Sequence, residues 1–426
     1  MDSPTKIGDL IIREWEVANP NGKKYTIRIA LEADASSEQV DELTEKTKKI
    51  VAEAKAVFGE FPDYETGRYT FIMSANPFVQ GDGMEHRNST MISLPVSTFS
   101  PSVLEGVTSH EFFHNWNVER IRPKTLEPFN FEKSNMSHEL WFAEGFTQYY
   151  GDLLLARAGL ITPQMFLSTV GGLVNLKLNT PGAVHYSPVD ASNHAVFVDA
   201  SVAIDKNNYG NMFTSYYTYG AAMALALDLE LQTKTNKSLD DFMKAMWLTH
   251  GKKEIPYTIA SMQKTLATIT DAGFAAQFFK KYITGHEAVD YASLLAKAGY
   301  EIKKASEGKV IIGLNTRATE QGKLIIVSNT IKGSSAYEAG LDINDELLQF
   351  DQTIVKTPAD ISNFLSQKKP GETITVLYKH RAKVRKANIT LKENTGITII
   401  DTENNGQTIT PDMKKIRNSW FTSKAE

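Results

Sequence analysis

The first hundred residues alternate between strand-like and helix-like spacing of apolar side chains. Apolar and polar residues alternate through Lys24–Ala33, which is typical of a half-buried strand. Ser36–Gly59 instead places its apolar residues at helical spacing, behind a serine that favours a helix start. Tyr69–Met73 and Thr90–Pro95 are predicted to be further strands. The chain therefore begins with a strand, a helix and more strands.

Helical spacing dominates the middle of the chain. In chain order, the best helical candidates are Ser100–Asn117, His138–Arg157, Ser215–Thr233, Leu239–Leu248 and Ile259–Ile283. Strands that come early and helices that come late predict an α+β fold.

The pattern changes near residue 305, where short segments with Gly or Asp at their ends replace the long helices. The predicted strands are Lys309–Gly313, Lys323–Val327, Glu346–Phe350 and Thr373–Tyr378, and one helix, Ala359–Gln367, interrupts them. A β-rich module of about ninety residues has a normal domain size. We therefore expect domains at 1–304 and 305–396, followed by a C-terminal tail at 397–426 with a short helix at its end.

Composition narrows the function classes. The formal net charge of −4 provides no global positive field, so nucleic acid is not an expected partner. The sequence has no apolar run long enough to span a membrane. It also has no cysteine, so any metal must bind histidine and carboxylate. The absence of cysteine fits the cytoplasm, and it equally fits a periplasmic or secreted protein whose signal peptide lies upstream, so the compartment stays open.

One five-residue stretch, His110-Glu111-Phe-Phe-His114, has the spacing of a metal site. Residues four apart lie on one face of a helix, so both imidazoles can reach one zinc ion. Glu111 projects beside them and can activate a water. The alternative is a pair of histidines on an ordinary polar helix face.

A catalytic zinc needs a third protein ligand, and Glu144 is the favoured candidate. The aromatic residues around it, in LWFAEGFTQYY (140–150), predict a mostly buried helix. A carboxylate at the centre of such a helix is costly unless it is paired or binds a metal. The competing acid, Glu139, lies at the helix start, where the helix dipole alone explains it.

Four ordered segments together resemble the M61 glycyl aminopeptidase family of zinc peptidases. They are GMEHRNST (83–90), HEFFHNWNVERIRP (110–123), LWFAEGFTQYY (140–150) and SYYTYGAAMALALDLEL (215–231). The resemblance implies a gluzincin fold related to thermolysin, followed by a PDZ-like domain. It also implies an N-terminal β domain, which we expect upstream of residue 1.

Carried over to this chain, the resemblance places the metal ligands on His110, His114 and Glu144 and the general base on Glu111. Tyr217 matches the tyrosine that donates a hydrogen bond to the oxyanion in related zinc aminopeptidases, although packing at the helix entry is an alternative role. Thermolysin-like enzymes often carry an acid four residues after the glutamate ligand, where this chain has Gln148. The partner that orients each imidazole is therefore left open.

Glu85 and Gly83 form a candidate substrate site. A glycine permits close approach of a substrate backbone, and a carboxylate at a strand edge can hold a free α-amine. An ordinary acid in a surface turn is the alternative for Glu85. Related aminopeptidases have Glu-Asn here, whereas this chain has His86.

Small residues before Ala339-Gly340-Leu341, followed by an acidic turn, resemble the PDZ signature. Such modules accept an extended peptide as an added strand. Ile311–Leu314 is the predicted edge strand and carboxylate loop, and a C-terminal peptide is the expected ligand. A structural appendage that binds nothing is the alternative.

Together these features predict a zinc-dependent peptidase that acts on peptide substrates. We expect an aminopeptidase that releases small N-terminal residues such as Gly or Ala, with Zn²⁺ as its cofactor. The alternatives are a zinc endopeptidase and a non-catalytic PDZ protein that binds peptides.

Overall fold

A five-stranded sheet forms the N-terminal side of the computed structural model, which describes residues 4–198 and 208–425. Its strands are β1 (Ile11–Ala18), β2 (Lys24–Ala33), β3 (Arg68–Ala75), β4 (Asp82–His86) and β5 (Ser89–Leu94). Their order is β1-β2-β3-β5-β4, with β2, β3 and β5 parallel and the two outer strands antiparallel. Strand β4 therefore lies at an edge of the sheet.

Helices form the rest of the N-terminal part. In chain order they are α1 (Ser37–Phe58), α2 (Glu105–Phe113), α3 (Leu140–Arg157), α4 (Pro163–Asn179), α5 (Pro181–His185), α6 (Pro188–Asn193), α7 (Ala195–Val198), α8 (Tyr209–Met212), α9 (Tyr216–Lys234), α10 (Leu239–Thr249), α11 (Ile259–Ile269), α12 (Ala272–Phe278) and α13 (Tyr291–Lys297). None of the helices in the described ranges is long and apolar enough to cross a membrane.

Two of the expected helices were too long. The segment Ser100–Asn117 starts as a 3-10 turn at Pro101–Leu104, and α2 ends at Phe113 before a series of tight turns. The segment Ile259–Ile283 is broken at Thr270 and Asp271, because the Asp271 side chain accepts from the Phe274 backbone N–H and caps a new helix. Side-chain capping competes with helix continuation, and apolar spacing alone does not reveal it.

The C-terminal part is β-rich, as the sequence predicts. Its elements are β6 (Tyr300–Lys304), β7 (Val310–Ile311), β8 (Thr316–Ala318), β9 (Leu324–Ile326), α14 (Ser335–Glu338), β10 (Glu346–Phe350), β11 (Thr353–Ile354), α15 (Pro358–Leu365), β12 (Thr373–His380), β13 (Lys383–Thr390), β14 (Lys392–Glu393), β15 (Ile397–Asp401) and α16 (Pro411–Phe421). The main sheet runs β13-β12-β10-β9-β8, and β11 pairs with β10. It has its own core, including Ile326, Phe350 and Val376. The mixed helix-and-sheet class is thus confirmed.

The last thirty residues return to the N-terminal core. Strand β15 pairs with β6, and Trp420 of α16 is fully buried in the N-terminal core. Its indole N–H donates to Asp228 Oδ2 at 2.8 Å. Arg157 at the end of α3 donates to the Trp420 and Ser419 carbonyls at 3.2 and 3.1 Å. The C-terminal helix thereby braces the helix that carries Glu144.

We predict that Trp420→Ala destabilises the protein by about 3–5 kcal/mol, because it removes a large buried side chain and leaves a cavity. Urea unfolding followed by circular dichroism measures the change. Lys414→Ala, an exposed position on the same helix, is the matched control and is expected to change the free energy of unfolding by less than about 0.5 kcal/mol. Equal midpoints for the two variants would show that α16 contributes no stability.

Candidate metal centre

Helix α2 with its C-cap residue and helix α3 bring three candidate metal ligands together. Nitrogens of His110 and His114 and a carboxylate oxygen of Glu144 all lie within 4.8 Å of one another. The two Nε2 atoms are 3.0 Å apart. Glu144 Oε2 lies 3.4 Å from His110 Nε2 and 3.3 Å from His114 Nε2. The structure therefore assembles the sequence-predicted ligand set at one point.

A backbone carbonyl fixes the tautomer of His114. Its Nδ1 lies 2.7 Å from the Asn117 carbonyl oxygen, which can only accept, so Nδ1 carries the proton. The lone pair of Nε2 then faces His110 and Glu144. The buried Asn117 side chain donates to the Phe142 carbonyl at 3.0 Å, which ties this turn to α3. Asn117 is thus a positioning residue that the sequence analysis did not find.

Charge and burial oppose each other in the ligand set. Burial lowers the pKa of His114, but the carboxylates of Glu144, Glu85 and Glu111 outweigh it, so the net pKa is raised. Burial raises the pKa of Glu144, but the imidazoles of His114 and His110 outweigh it and hold the pKa below its usual range. The Glu144 carboxylate and the two imidazoles thus attract each other, and a bound cation would offer the carboxylate the same attraction.

The donor set fits zinc. Glu144 Oε2 and Glu111 Oε2 are buried and have no hydrogen-bond partner among the described residues. Buried carboxylate oxygens in that state are costly, and a bound cation relieves the cost. Two imidazoles and one carboxylate, with a fourth position open, form a normal catalytic zinc site.

Two other acids, Glu139 and Glu85, could be considered as the third metal ligand, but each is a poorer candidate than Glu144. Glu139 Oε2 already accepts from Thr125 and Ser137 at 2.6 and 3.1 Å, so it serves the start of α3. Glu85, Glu111 and His114 form a second group within 4.8 Å. That group offers a single imidazole. The group of His110, His114 and Glu144 offers two imidazoles and does not use Glu111 as a ligand, so Glu111 can act on a water.

Edge strand β4 lies directly against the metal centre. A Cβ atom added to Gly83 would lie 2.4 Å from Glu111 Oε1, so only glycine lets the strand approach this closely. Two residues on, Glu85 reaches Glu111 and His114. Burial raises the pKa of Glu111 to about 8, opposed by the His114 imidazole and reinforced by the Glu85 carboxylate. The structure therefore brings both predicted substrate-site residues to the metal centre.

Tyr217 lies in the first turn of α9, with its ring centroid 6.2 Å from that of His110. A close crossing of α3 and α9 brings it there. A Cβ added to Gly145 would lie 2.3 Å from Gly220 Cα, and one added to Gly220 would lie 2.0 Å from the Trp141 carbonyl oxygen. The position of Tyr217 follows from two glycines, one next to Glu144 and one three residues beyond the tyrosine itself.

Both parts of the chain are similar to known proteins. Residues 104–223 match the M61 glycyl aminopeptidase family, and residues 310–391 match the PDZ domain family. A solved aminopeptidase N family protein from Idiomarina loihiensis is 26% identical, with a TM-score of 0.82 over 97% of this chain and 71% of that chain. An M1 zinc metallopeptidase from Deinococcus radiodurans is 18% identical, with a TM-score of 0.45 over 66% of this chain and 53% of that chain. No protein of the curated set matches significantly.

The fold, the ligand set and these matches define a metallopeptidase that carries a PDZ domain. The match of residues 104–223 to the M61 glycyl aminopeptidase family confirms the resemblance found in the sequence motifs.

We predict that the purified protein binds about one zinc ion per chain and that His114→Ala abolishes this binding, because two ligands do not make a stable site. Zinc content after dialysis, measured by plasma emission spectrometry, checks the prediction. Glu139→Gln is the matched control and should keep its zinc, whereas Glu144→Gln should lose most of it. Loss of zinc in Glu139→Gln with retention in Glu144→Gln would exchange the roles of the two acids.

Proposed function

We propose that this metallopeptidase is a zinc aminopeptidase that releases small N-terminal residues such as Gly or Ala. The observation that carries the proposal is the Glu85 carboxylate, which edge strand β4 places within 4.8 Å of Glu111 and His114. A carboxylate beside the metal centre can hold a substrate α-ammonium by charge-assisted hydrogen bonds. The first peptide bond of the substrate would then lie next to Glu111.

Glu111 is proposed as the general base. Bound zinc would supply Lewis acidity, which polarises the substrate carbonyl and acidifies water. Glu111 takes a proton at its carboxylate and later gives it to the leaving amine. Its buried position, with Oε2 lacking a hydrogen-bond partner among the described residues, leaves that oxygen available to a water. Tyr217 is proposed to donate its phenol proton in a hydrogen bond to the oxyanion.

The outer edge of β4 is proposed to align the substrate. An extended peptide can add to a free strand edge through main-chain hydrogen bonds. The missing side chain at Gly83 lets that backbone come close to Glu111. Glu85 then fixes the register, so that one residue precedes the reacting bond. We propose that residues 1–304 form a thermolysin-related catalytic domain. The PDZ domain is then proposed to span residues 305–396 and to be followed by a C-terminal tail at 397–426.

The PDZ domain is proposed to bind a C-terminal peptide. A groove of about 850 Å³ lies between the β7 region and α15, lined by residues that include Ile311, Leu314, Ile361 and Leu365. Strand addition along this edge, with an apolar side chain in the groove, is the usual mode of such domains.

A zinc endopeptidase is the second candidate. His86 favours it, because related aminopeptidases have an asparagine after the glutamate at this position, and His86 is buried next to Glu85. In that case Glu85 would not select a free amino terminus.

Tyr217→Phe is expected to lower kcat by about 10²–10³-fold with little change in KM, because the lost hydrogen bond acts on the transition state. Tyr216→Phe is the matched control, since its ring lies 4.8 Å from that of Tyr217 and it is buried. Steady-state kinetics on a Gly- or Ala-initiated substrate measure both. Equal kcat values in the two variants would return Tyr217 to a packing role.

The aminopeptidase proposal predicts that acetylation of a Gly- or Ala-initiated peptide removes most of the rate. Glu85→Gln should lower kcat/KM for the free-amine peptide by about 30–1,000-fold, because it removes a desolvated charge partner, and should leave blocked peptides unaffected. Mass spectrometry of the products checks both statements. Internal cleavage of acetylated peptides at rates equal to those of the free peptides would favour the endopeptidase.

A further inference from the structure

Arg120 is a buried cation in the turns that follow α2. Among residues 4–198 and 208–425, no carboxylate forms an ion pair with its guanidinium group. Burial lowers the pKa of Arg120, because the charged form is deprived of water. A buried charge is costly unless it is hydrogen-bonded, so the contacts of this side chain show what the fold gains from it.

The guanidinium group donates to neutral oxygen atoms in three separate segments. Its Nη1 donates to the Arg87 carbonyl at 2.8 Å and to the Asn115 carbonyl at 3.1 Å. Its Nη2 donates to the Asp63 carbonyl at 2.9 Å and to the Asn88 side-chain oxygen at 3.3 Å. A planar guanidinium holds several acceptors at fixed angles, which the ammonium group of a lysine cannot do. Arginine is therefore the residue that can join these segments.

One nitrogen of this group connects the candidate substrate strand to the metal centre. Arg87 lies in the turn between β4 and β5, two residues after Glu85. Asn115 is the residue after His114. Nη1 of Arg120 donates to the carbonyls of both Arg87 and Asn115. It thereby ties the end of the strand that carries Glu85 to the turn that follows a candidate metal ligand.

Strand β4 has few other attachments, because it is an edge strand. Within the described ranges, β5 is the strand that pairs with it. At one end of β4, Gly83 lies directly against Glu111 of α2. The contact through Arg120 is a second attachment to the segment that carries the metal ligands, and it lies at the Glu85 end of the strand.

We propose that Arg120 is a positioning residue that sets the distance between the Glu85 carboxylate and the metal centre. It holds the β4–β5 turn against the turn after His114 and so keeps Glu85 where a substrate α-ammonium can bind beside the reacting bond. Arg120 is buried, and it acts through Glu85 rather than on the substrate. The inference rests on the proposed function of Glu85 and adds the residue that gives this carboxylate its place.

Two zinc-binding inhibitors separate binding of the α-amine from catalysis. Alanine hydroxamate carries a free α-amine, and propanohydroxamate has the same carbon chain without it. The ratio of their inhibition constants on the zinc-loaded full chain measures what the α-amine contributes to binding. We expect the unsubstituted protein to favour alanine hydroxamate by about 30–1,000-fold, since the amine pairs with a desolvated carboxylate, and Glu85→Gln to bring the ratio close to one.

Arg120→Lys should lower this ratio by about tenfold or more, because an ammonium group cannot hold the two turns at their present spacing. The change should come from weaker binding of alanine hydroxamate, whereas binding of propanohydroxamate and the zinc content should stay nearly unchanged. Arg122→Lys is the matched control and should keep the ratio, since Arg122 contacts Leu126 and Glu127 instead.

Thermal unfolding verifies that Arg120→Lys is folded. If it does not fold, Asn88→Ala decides, because it removes one acceptor of the guanidinium group and leaves Arg120 in place. This variant should lower the ratio by about two- to fivefold, and an unchanged ratio would overturn the inference. Glu65→Ala is its control and should keep the ratio, since it removes only exposed contacts of the same turn.

The outcomes separate this inference from the proposed function. If Glu85→Gln abolishes the preference for alanine hydroxamate but folded Arg120→Lys keeps it, the inference is wrong and the aminopeptidase proposal stands. An equal loss of binding of both inhibitors in Arg120→Lys also overturns the inference, because it shows a general structural role. Equal binding of both inhibitors by the unsubstituted protein would show that Glu85 holds no amine, and the aminopeptidase proposal and the inference would then fail together.

Discussion

The close crossing of helices α3 and α9 is the constraint on which the metal centre depends. Gly145 and Gly220 meet at a distance that no side chain would permit. Because Glu144 precedes one glycine and Tyr217 lies three residues before the other, the crossing places a candidate metal ligand and a candidate oxyanion donor beside the same histidine, His110. A larger residue at either glycine would separate the helices and with them the two functional side chains.

Around this crossing, burial raises the energetic cost of every charged group that is left without a partner. His114 avoids that cost through the Asn117 carbonyl and Glu144, whereas Glu111 Oε2 lacks a hydrogen-bond partner among the described residues. Such groups are retained in native proteins where they bind a metal, a substrate or a water. Burial of the carboxylates at the metal centre therefore explains both their energetic cost and their capacity to bind a metal, a substrate or a water.

Sequence patterns identify the features that depend on local spacing. The i, i+4 spacing of His110 and His114 and the aromatic surroundings of Glu144 are enough to indicate the ligand set. The Asn117 carbonyl could not be predicted, since it is a backbone acceptor placed by a turn after α2. The burial of Trp420 could not be predicted either, because it depends on contacts with α3 and α9, which lie far from it in the sequence. Tertiary packing determines the positions of both Asn117 and Trp420, and the spacing of apolar residues in the sequence does not reveal either position.

The turnover of zinc-loaded Glu111→Gln tests the central claim most directly. If His110, His114 and Glu144 hold the metal and Glu111 is the base, the variant keeps full zinc occupancy and loses at least about 10³-fold in kcat, because an amide cannot accept the proton. Zinc content and kcat are measured on one preparation, with the unsubstituted protein beside it. Turnover equal to that of the unsubstituted protein at full occupancy would contradict the account.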